Sequence, residues 1–458
     1  MCMSQAIPTN TEIPSTDPVE LSEDDLDDLL ESAGLLLDSL ICGDPMKYVQ
    51  PDFHETVSRE TTKLLVNQTF GLCDENTIGD VVERALSTFY AHIYPRRSYD
   101  STFIRVNPKV QQVTKHLQAL RDIPQPEQRT PEWYAFRHNY LTASSAWKAF
   151  VSTATRNQLI YDKCVPYDPD KYKSSASLDS PLQWGVRYEP VSIMWYEHMY
   201  GTKIEDFGCI PHPTLSCLAA SPDGINTDPE APRFGRMLEV KNIVNRIING
   251  VPKLEYWVQM QLQMEVCGLN ECDFLETRFK EYDGFEAYLA DGTYQTTADG
   301  KPKGVIMYFS DQGNAVYEYS PWNATKDEHE RWECEMNQKH AGLAWISNSY
   351  WFLDEVSCVL VLRNKLWFAA AEPQLKDLWK SVCTDRKNGY DHRAPRRKPK
   401  VDKLSPVLAP IGCIINTQAL DGVPGSSLAP VPAVEPPPNN AIISIETECL
   451  EDAHSQDA

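Results

Sequence analysis

Residues 218–242 read "LAASPDGINTDPEAPRFGRMLEVKN". An apolar run leads into a Ser-Pro-Asp-Gly turn, and a Pro/Gly/Asp-rich connection leads into a second short run. Both "LSCLAA" and "RMLEVKN" have strand length and are bounded by turn residues, which predicts two strands joined by an irregular return. Alternation along the second strand sends Glu239 and Lys241 to one face and Val240 to the other. A hairpin-like return sets Asp223 beside Glu239. Alone, the stretch admits two readings. One is a surface hairpin with solvated charges. The other is an acidic centre, because two carboxylates held close repel each other unless a cation lies between them.

The flanks extend the second reading. Residues 181–201, "PLQWGVRYEPVSIMWYEHMYG", have helical character and carry Glu189 one turn after Gly185, where a missing side chain would let another element pack close. Residues 253–269 predict a second helix, with Tyr256, Gln259 and Gln263 spaced three and four apart and hence on one face. An α–β–β–α–β order of this kind builds a small mixed sheet flanked by helices. Hard divalent cations such as Mg²⁺ take carboxylate and carbonyl oxygens. Glu189, Asp223, Glu239 and the Val240 carbonyl are therefore candidate ligands, with Lys241 as a point charge for a developing negative charge. Upstream, "TPEWYAFRHNYLTASSAWKAF" (130–150) offers a forked guanidinium at Arg137. It also offers Thr142 and Ser144 at the start of a helix, the makings of a phosphate pocket. An N-cap and an ordinary salt-bridging arginine would give the same letters. Trp133 and Trp147 read as core.

The order "GVRYEP", "SPDG", "LEVK", "YWVQMQLQ" resembles the PD-(D/E)XK nuclease superfamily. Within it, the chain is similar to the phage lambda exonuclease / YqaJ-type viral recombinase family. The resemblance covers roughly residues 130–310. It implies a restriction-endonuclease-like α/β core of mixed α+β type, with Glu189, Asp223 and Glu239 as metal ligands, Lys241 as catalytic lysine and Gln259 as the helix glutamine. Arg137 and Ser144 would hold a 5′-terminal phosphate, with Thr142, Tyr256 and Gln263 lining the DNA path. The implied activity is a Mg²⁺-dependent, two-metal DNA exonuclease running 5′ to 3′ on duplex ends in recombination or repair, with Mn²⁺ as a substitute. The alternatives are a structure-specific or single-strand endonuclease, Cas4-like or resolvase-like, and a non-catalytic DNA-binding assembly protein. A single-strand annealing protein or helicase would be a fitting partner, and relatives of this type form homo-oligomers. The regions beyond the compact core resemble the extensions found on versions from large DNA viruses.

Bulk properties agree with an intracellular globular protein. The 458 residues are 42% apolar and include eleven tryptophans. No apolar leader or run of membrane-spanning length is visible. Thirteen cysteines are scattered without a CxxC pair, so neither a disulfide framework nor an iron–sulfur cluster is expected. The net charge of −22 would argue against a nucleic-acid partner if it were evenly spread. It is not: residues 1–50 hold eleven acids and one base, and residues 404–458 hold seven acids and no base. Little of the charge is left for a central cleft.

Five regions follow. Residues 1–19 read as a disordered leader. Residues 20–122 form a helical region opening with the acidic amphipathic stretch "ELSEDDLDDLLESAGLLLDSL", which docks on its own domain or on a partner. Residues 123–320 hold the nuclease core, 321–390 a helical extension, and 391–458 a basic and then acidic, Pro-rich disordered tail. Acidic termini that mimic DNA would be autoinhibitory. The basic run 393–403 has the composition of a nuclear signal or a DNA-backbone contact.

Overall fold

The computed structural model describes residues 22–70, 73–102, 110–126, 130–168, 181–312 and 314–395, with backbone alone at Pro181 and Leu182. The leader 1–19 and almost all of the tail lie outside the described residues. Residues 1–393 form one unit and 394–458 a second.

Three helices open the described chain: α1 (Glu23–Gly43), α2 (Phe53–Gln68) and α3 (Glu75–His92). Ser22 and Asp25 close a capping box on α1, satisfying two otherwise orphaned donors. The apolar stripe of α1 buries Ala33, Leu37 and Ile41 against α3 and α2, so this acidic helix docks on its own fold. Strand β1 (Tyr99–Asp100) and helix α4 (Val110–Arg121) follow.

Next come α5 (Pro131–His138), β2 (Leu141–Thr142), the single turn α6 (Ala143–Ala146), α7 (Thr153–Cys164) and α8 (Pro181–Tyr200). Five short strands succeed them: β3 (Ile204–Glu205), β4 (Ile210–Pro211), β5 (Leu218–Ala220), β6 (Gly224–Asn226) and β7 (Met237–Asn242). The remainder comprises α9 (Leu254–Cys267), β8 (Glu271–Glu281), α10 (Phe285–Ala290), β9 (Lys303–Asp311), β10 (Asn314–Tyr319), α11 (Lys326–Lys339), β11 (Ala344–Leu362) and α12 (Lys365–Asn388).

The main sheet runs β10-β9-β11-β8-β7-β6-β3, with β1 paired to β11; a small second sheet runs β2-β5-β4. Strands β7 and β8 are parallel, and the crossover between them is α9. A parallel pair is stable when both faces are covered. Leu238, Val240, Leu275 and Phe279 meet Tyr188 and Val191 of α8 on one face. Met237, Cys272 and Phe274 meet α9 on the other. The segment 321–390 is not wholly helical as expected. Its stretch "YWFLDEVSCVLVL", rich in aromatic and β-branched residues, belongs to β11, a 19-residue strand between β8 and β9.

A buried ionic network locks the far side of the parallel pair. Asp273, fully inaccessible, takes Arg236 Nη1 at 3.1 Å and the Arg233 guanidinium, and it accepts the Tyr196 hydroxyl as well. Arg233 also donates to the Ser101 carbonyl at 2.7 Å, tying the segment after β1 to the sheet. Burying a carboxylate is costly unless it is paired and hydrogen-bonded. Here both conditions hold.

Candidate active site

The turn before β6 explains why Asp223 meets β7. Strand β6 pairs antiparallel with β7, Gly224 opposite Leu238, so Asp223 falls beyond the last paired residue, level with Glu239. Its Oδ2 accepts the Val240 N–H at 2.7 Å, extending the ladder by one side-chain bond. The N–H and C=O of one strand residue point to the same edge, so the Val240 carbonyl faces the Asp223 side too. Gly224 is required by close approach: a Cβ there would run into Ile204 Cγ2 of β3.

Glu239 lies entirely under α9. Its Oε1 accepts Gln259 Nε2 at 2.7 Å and the Lys241 ammonium, and its Oε2 accepts Gln263 Nε2 at 2.7 Å. Burial foremost, and then the Asp223 carboxylate, push its carboxyl up to about 7 against the opposing pull of Lys241 and Gln263. For Lys241, burial favours the neutral form, but Glu239 and Asp223 outweigh it and hold the ammonium charged. The Tyr256 ring lies near both Lys241, 5.3 Å from the ring centre, and Arg246, at 5.4 Å. Arg246 in turn pairs with Glu276, the residue in register with Lys241 on β8.

Gln263 also donates to the Ser221 carbonyl at 3.1 Å, which joins the acidic centre to the arginine cluster. Arg137 Nη1 donates to Ser221 Oγ at 2.9 Å and Nη2 to Ser144 Oγ at 3.3 Å. Its guanidinium stacks over Trp133, 4.2 Å from the ring centre. Thr142 is placed differently from the expectation that it faces DNA. It is buried, and its hydroxyl bonds Ser145 Oγ at 2.9 Å within its own turn.

Glu189 sits on α8, the helix covering the opposite face of β7 and β8. Among the described residues no group of three or more His, Cys, Asp and Glu side chains is drawn together to hold a metal ion. The expected three-carboxylate cluster is therefore not assembled. Gly185 does not serve the close packing expected of it, since a side chain there would meet nothing within 4 Å. Its carbonyl instead accepts Asn242 Nδ2 at 3.1 Å, anchoring α8 to the end of β7.

Residues 132–270 match the YqaJ-like viral recombinase domain. Around the YqaJ-like core, similarity reaches further. Over 358 residues the chain is 29% identical to the uncharacterized protein R354 of Acanthamoeba polyphaga mimivirus, the match covering 69% of this chain and 60% of that protein. Among solved structures it is similar to the alkaline exonuclease LHK-Exo of Laribacter hongkongensis, alone and in complex with dAMP. Each match has 19% identity and a TM-score of 0.33, over 57% of this chain and 95% of that one.

Sequence reasoning missed four residues of this region. Ser221 could have been found from its place two residues before Asp223, within the turn already singled out. Arg246 and Glu276 carry no motif. Neither does Lys163, whose Nζ donates to the Arg137 carbonyl at 2.9 Å.

Proposed function

We propose that this protein is a divalent-metal-dependent DNA nuclease, a 5′-to-3′ exonuclease acting on duplex ends in viral recombination and repair. One observation carries the reading. A single amide, that of Gln263, bonds both Glu239 of the acidic centre and the Ser221 carbonyl of the Arg137 pocket. A phosphate held by Arg137 would thus lie against the same wall as the Asp223/Glu239/Lys241 set. The match to a YqaJ-like viral recombinase domain over residues 132–270 is in keeping with it.

The donors fit a hard cation in kind. Asp223 and the Val240 carbonyl share one edge of β7. Glu239, buried beside Asp223, carries an electrostatic load that a cation would relieve. These three would hold Mg²⁺ or Mn²⁺. A bound ion would supply Lewis acidity at the phosphoryl oxygen and ease deprotonation of the attacking water. The protein groups do the rest. Gln259 and Gln263 fix the plane of the Glu239 carboxylate, and Lys241 offers a fixed positive charge to the oxygens that gain charge as water attacks phosphorus. Arg137, with Ser144 and Ser221, binds the terminal phosphate in a forked, charge-assisted grip. Gripping that end is what would make the enzyme start from 5′ termini.

The test uses the full chain on linear and covalently closed circular duplex DNA. Linear DNA should be consumed in Mg²⁺ or Mn²⁺, spared in chelator, and circles left intact. Asp223→Asn, Glu239→Gln and Lys241→Met should each lose about 10²-fold or more in rate. Undiminished cleavage by all three variants would remove the assignment, and cutting of circles would turn it toward an endonuclease.

A further inference from the structure

Helix α5 is two turns long and ends at the residue that matters most to the pocket. Arg137 lies in its last turn, and so short a helix owes its orientation to tertiary contacts rather than to its own stability. Two cations supply those contacts. Lys163, near the end of α7, donates to the Arg137 carbonyl at 2.9 Å. Arg386, on α12, donates from Nε and Nη2 to the Lys163 carbonyl at 2.9 and 2.6 Å, and from Nη2 to the His138 carbonyl at 3.3 Å. Both cations thus sit at the negative end of α5, where a positive charge is favoured. Among the described residues neither forms an ion pair with a carboxylate, apart from a more distant influence of Asp162 on Lys163. Burial first, then Lys163 and Arg386, hold His138 down at about 4, so the imidazole between them is neutral. Residue 386 lies more than a hundred residues beyond the matched domain, which ends at 270.

We infer that Arg386 and Lys163 are positioning residues for Arg137, so that α12, outside the YqaJ-like domain, completes the pocket for a terminal 5′ phosphate. The inference rests on the phosphate-binding role proposed for Arg137. Arg386 holds the ends of α5 and α7 together, Lys163 fixes the carbonyl of Arg137 itself, and the guanidinium is thereby aimed between Ser144 and Ser221.

The experiment compares kcat/KM of the full-length protein on linear duplexes with 5′-phosphoryl and 5′-hydroxyl ends, taking the ratio within each preparation so that any misfolded fraction cancels. Arg137→Ala should bring the ratio close to one. Arg386→Ala and Lys163→Met should lower it about tenfold, mainly through KM for the phosphorylated end. Arg386→Lys, which keeps the charge and can reach one carbonyl, should recover part of the loss. Lys380→Ala, exposed on the same helix, should leave the ratio at its original value. If Arg137→Ala flattens the ratio while Arg386→Ala and Lys163→Met leave it intact, the positioning role is overturned. The same holds if both end types slow equally, since that is loss of fold alone. If Arg137→Ala itself leaves the preference untouched, the phosphate-binding reading fails, and the positioning role with it.

Discussion

Lys163 is a lysine held where a charge is unwelcome. Burial, reinforced by Arg137 and Arg386, lowers its ammonium from the ordinary 10.5 to about 8. Below pH 8 both folded and unfolded chains carry this proton, and the folded state bears the full penalty. Between about 8 and 10.5 the unfolded chain binds more protons than the folded one, so stability rises with pH across that window. The difference in Tm between wild type and Lys163→Met should accordingly rise in favour of wild type from pH 7.5 to 10. A difference that stays flat would show that Lys163 is not perturbed in the folded protein. At this scale the sequence was informative where residues lie near a motif. Asp223, Glu239, Lys241, Gln259 and Gln263 could be paired from alternation and helical spacing. Lys163 and Arg386 could not, because 223 residues separate partners that meet only through a main-chain carbonyl, and a carbonyl leaves no mark in the sequence.

Among elements, the turn from β5 into β6 decides how the acidic centre is held. Gly224 has no room for a side chain because β3 crosses it, and Ile204 is β-branched and cannot swing its methyl far. Gly224→Ala should destabilise the fold by about 1–3 kcal/mol. It should also depress nuclease activity, since Asp223 precedes it directly. Adding Ile204→Ala should restore part of both in paired denaturation and activity measurements. If the double variant does no better than Gly224→Ala alone, the crossing strand is not the reason for the glycine. The longer elements from 181 to 319 (α8, β7, α9, β8, β9 and β10) were legible from periodicity and turn residues. The two- and three-residue strands β3, β4 and β6 and the short α10 were not, so the partner of β7 was expected before the turn at Asp223 and is found after it. The tie between α8 and β7 was no more legible: Gly185 reads as a packing notch, yet what it contributes is a carbonyl to Asn242.

The whole molecule does not divide where its sequence changes character. Helix α12 inserts Trp367 between Phe150 and Trp257, at ring separations of 5.6 and 5.2 Å, and buries Leu375, Leu378 and Val382. Gln261 of α9 donates to the Leu362 carbonyl at 2.9 Å and accepts the Asn364 N–H at 2.7 Å. The side of α9 away from the acidic centre is therefore pinned to the start of α12. A fragment of residues 123–320 should lack cooperative unfolding in urea, since it would expose this apolar seam and leave β8 without its neighbour. A sharp, reversible transition for that fragment would contradict this picture. Composition marks the segment after 320 as an appendage, because helical patterns dominate it. Sheet order is a non-local property, so the place of β11 could not be read from its letters.

That place has a consequence for the order in which the protein comes into being. Among the described strands β11 is the last to leave the ribosome, yet it lies between β8 and β9. One of its edges pairs with β8 from Trp351 to Leu362, and the other with β9 from Ala344 to Phe352 and with β1 near Leu360. Until residue 362 has been synthesised, the β9–β10 hairpin and the β8–β7–β6–β3 portion are separate half-sheets, each with an open edge prone to wrong pairing. The nascent chain cannot become a nuclease by degrees. Translation must run past the acidic centre by more than a hundred residues before the two halves are stitched, and a message cut short in between would yield protein without a finished sheet.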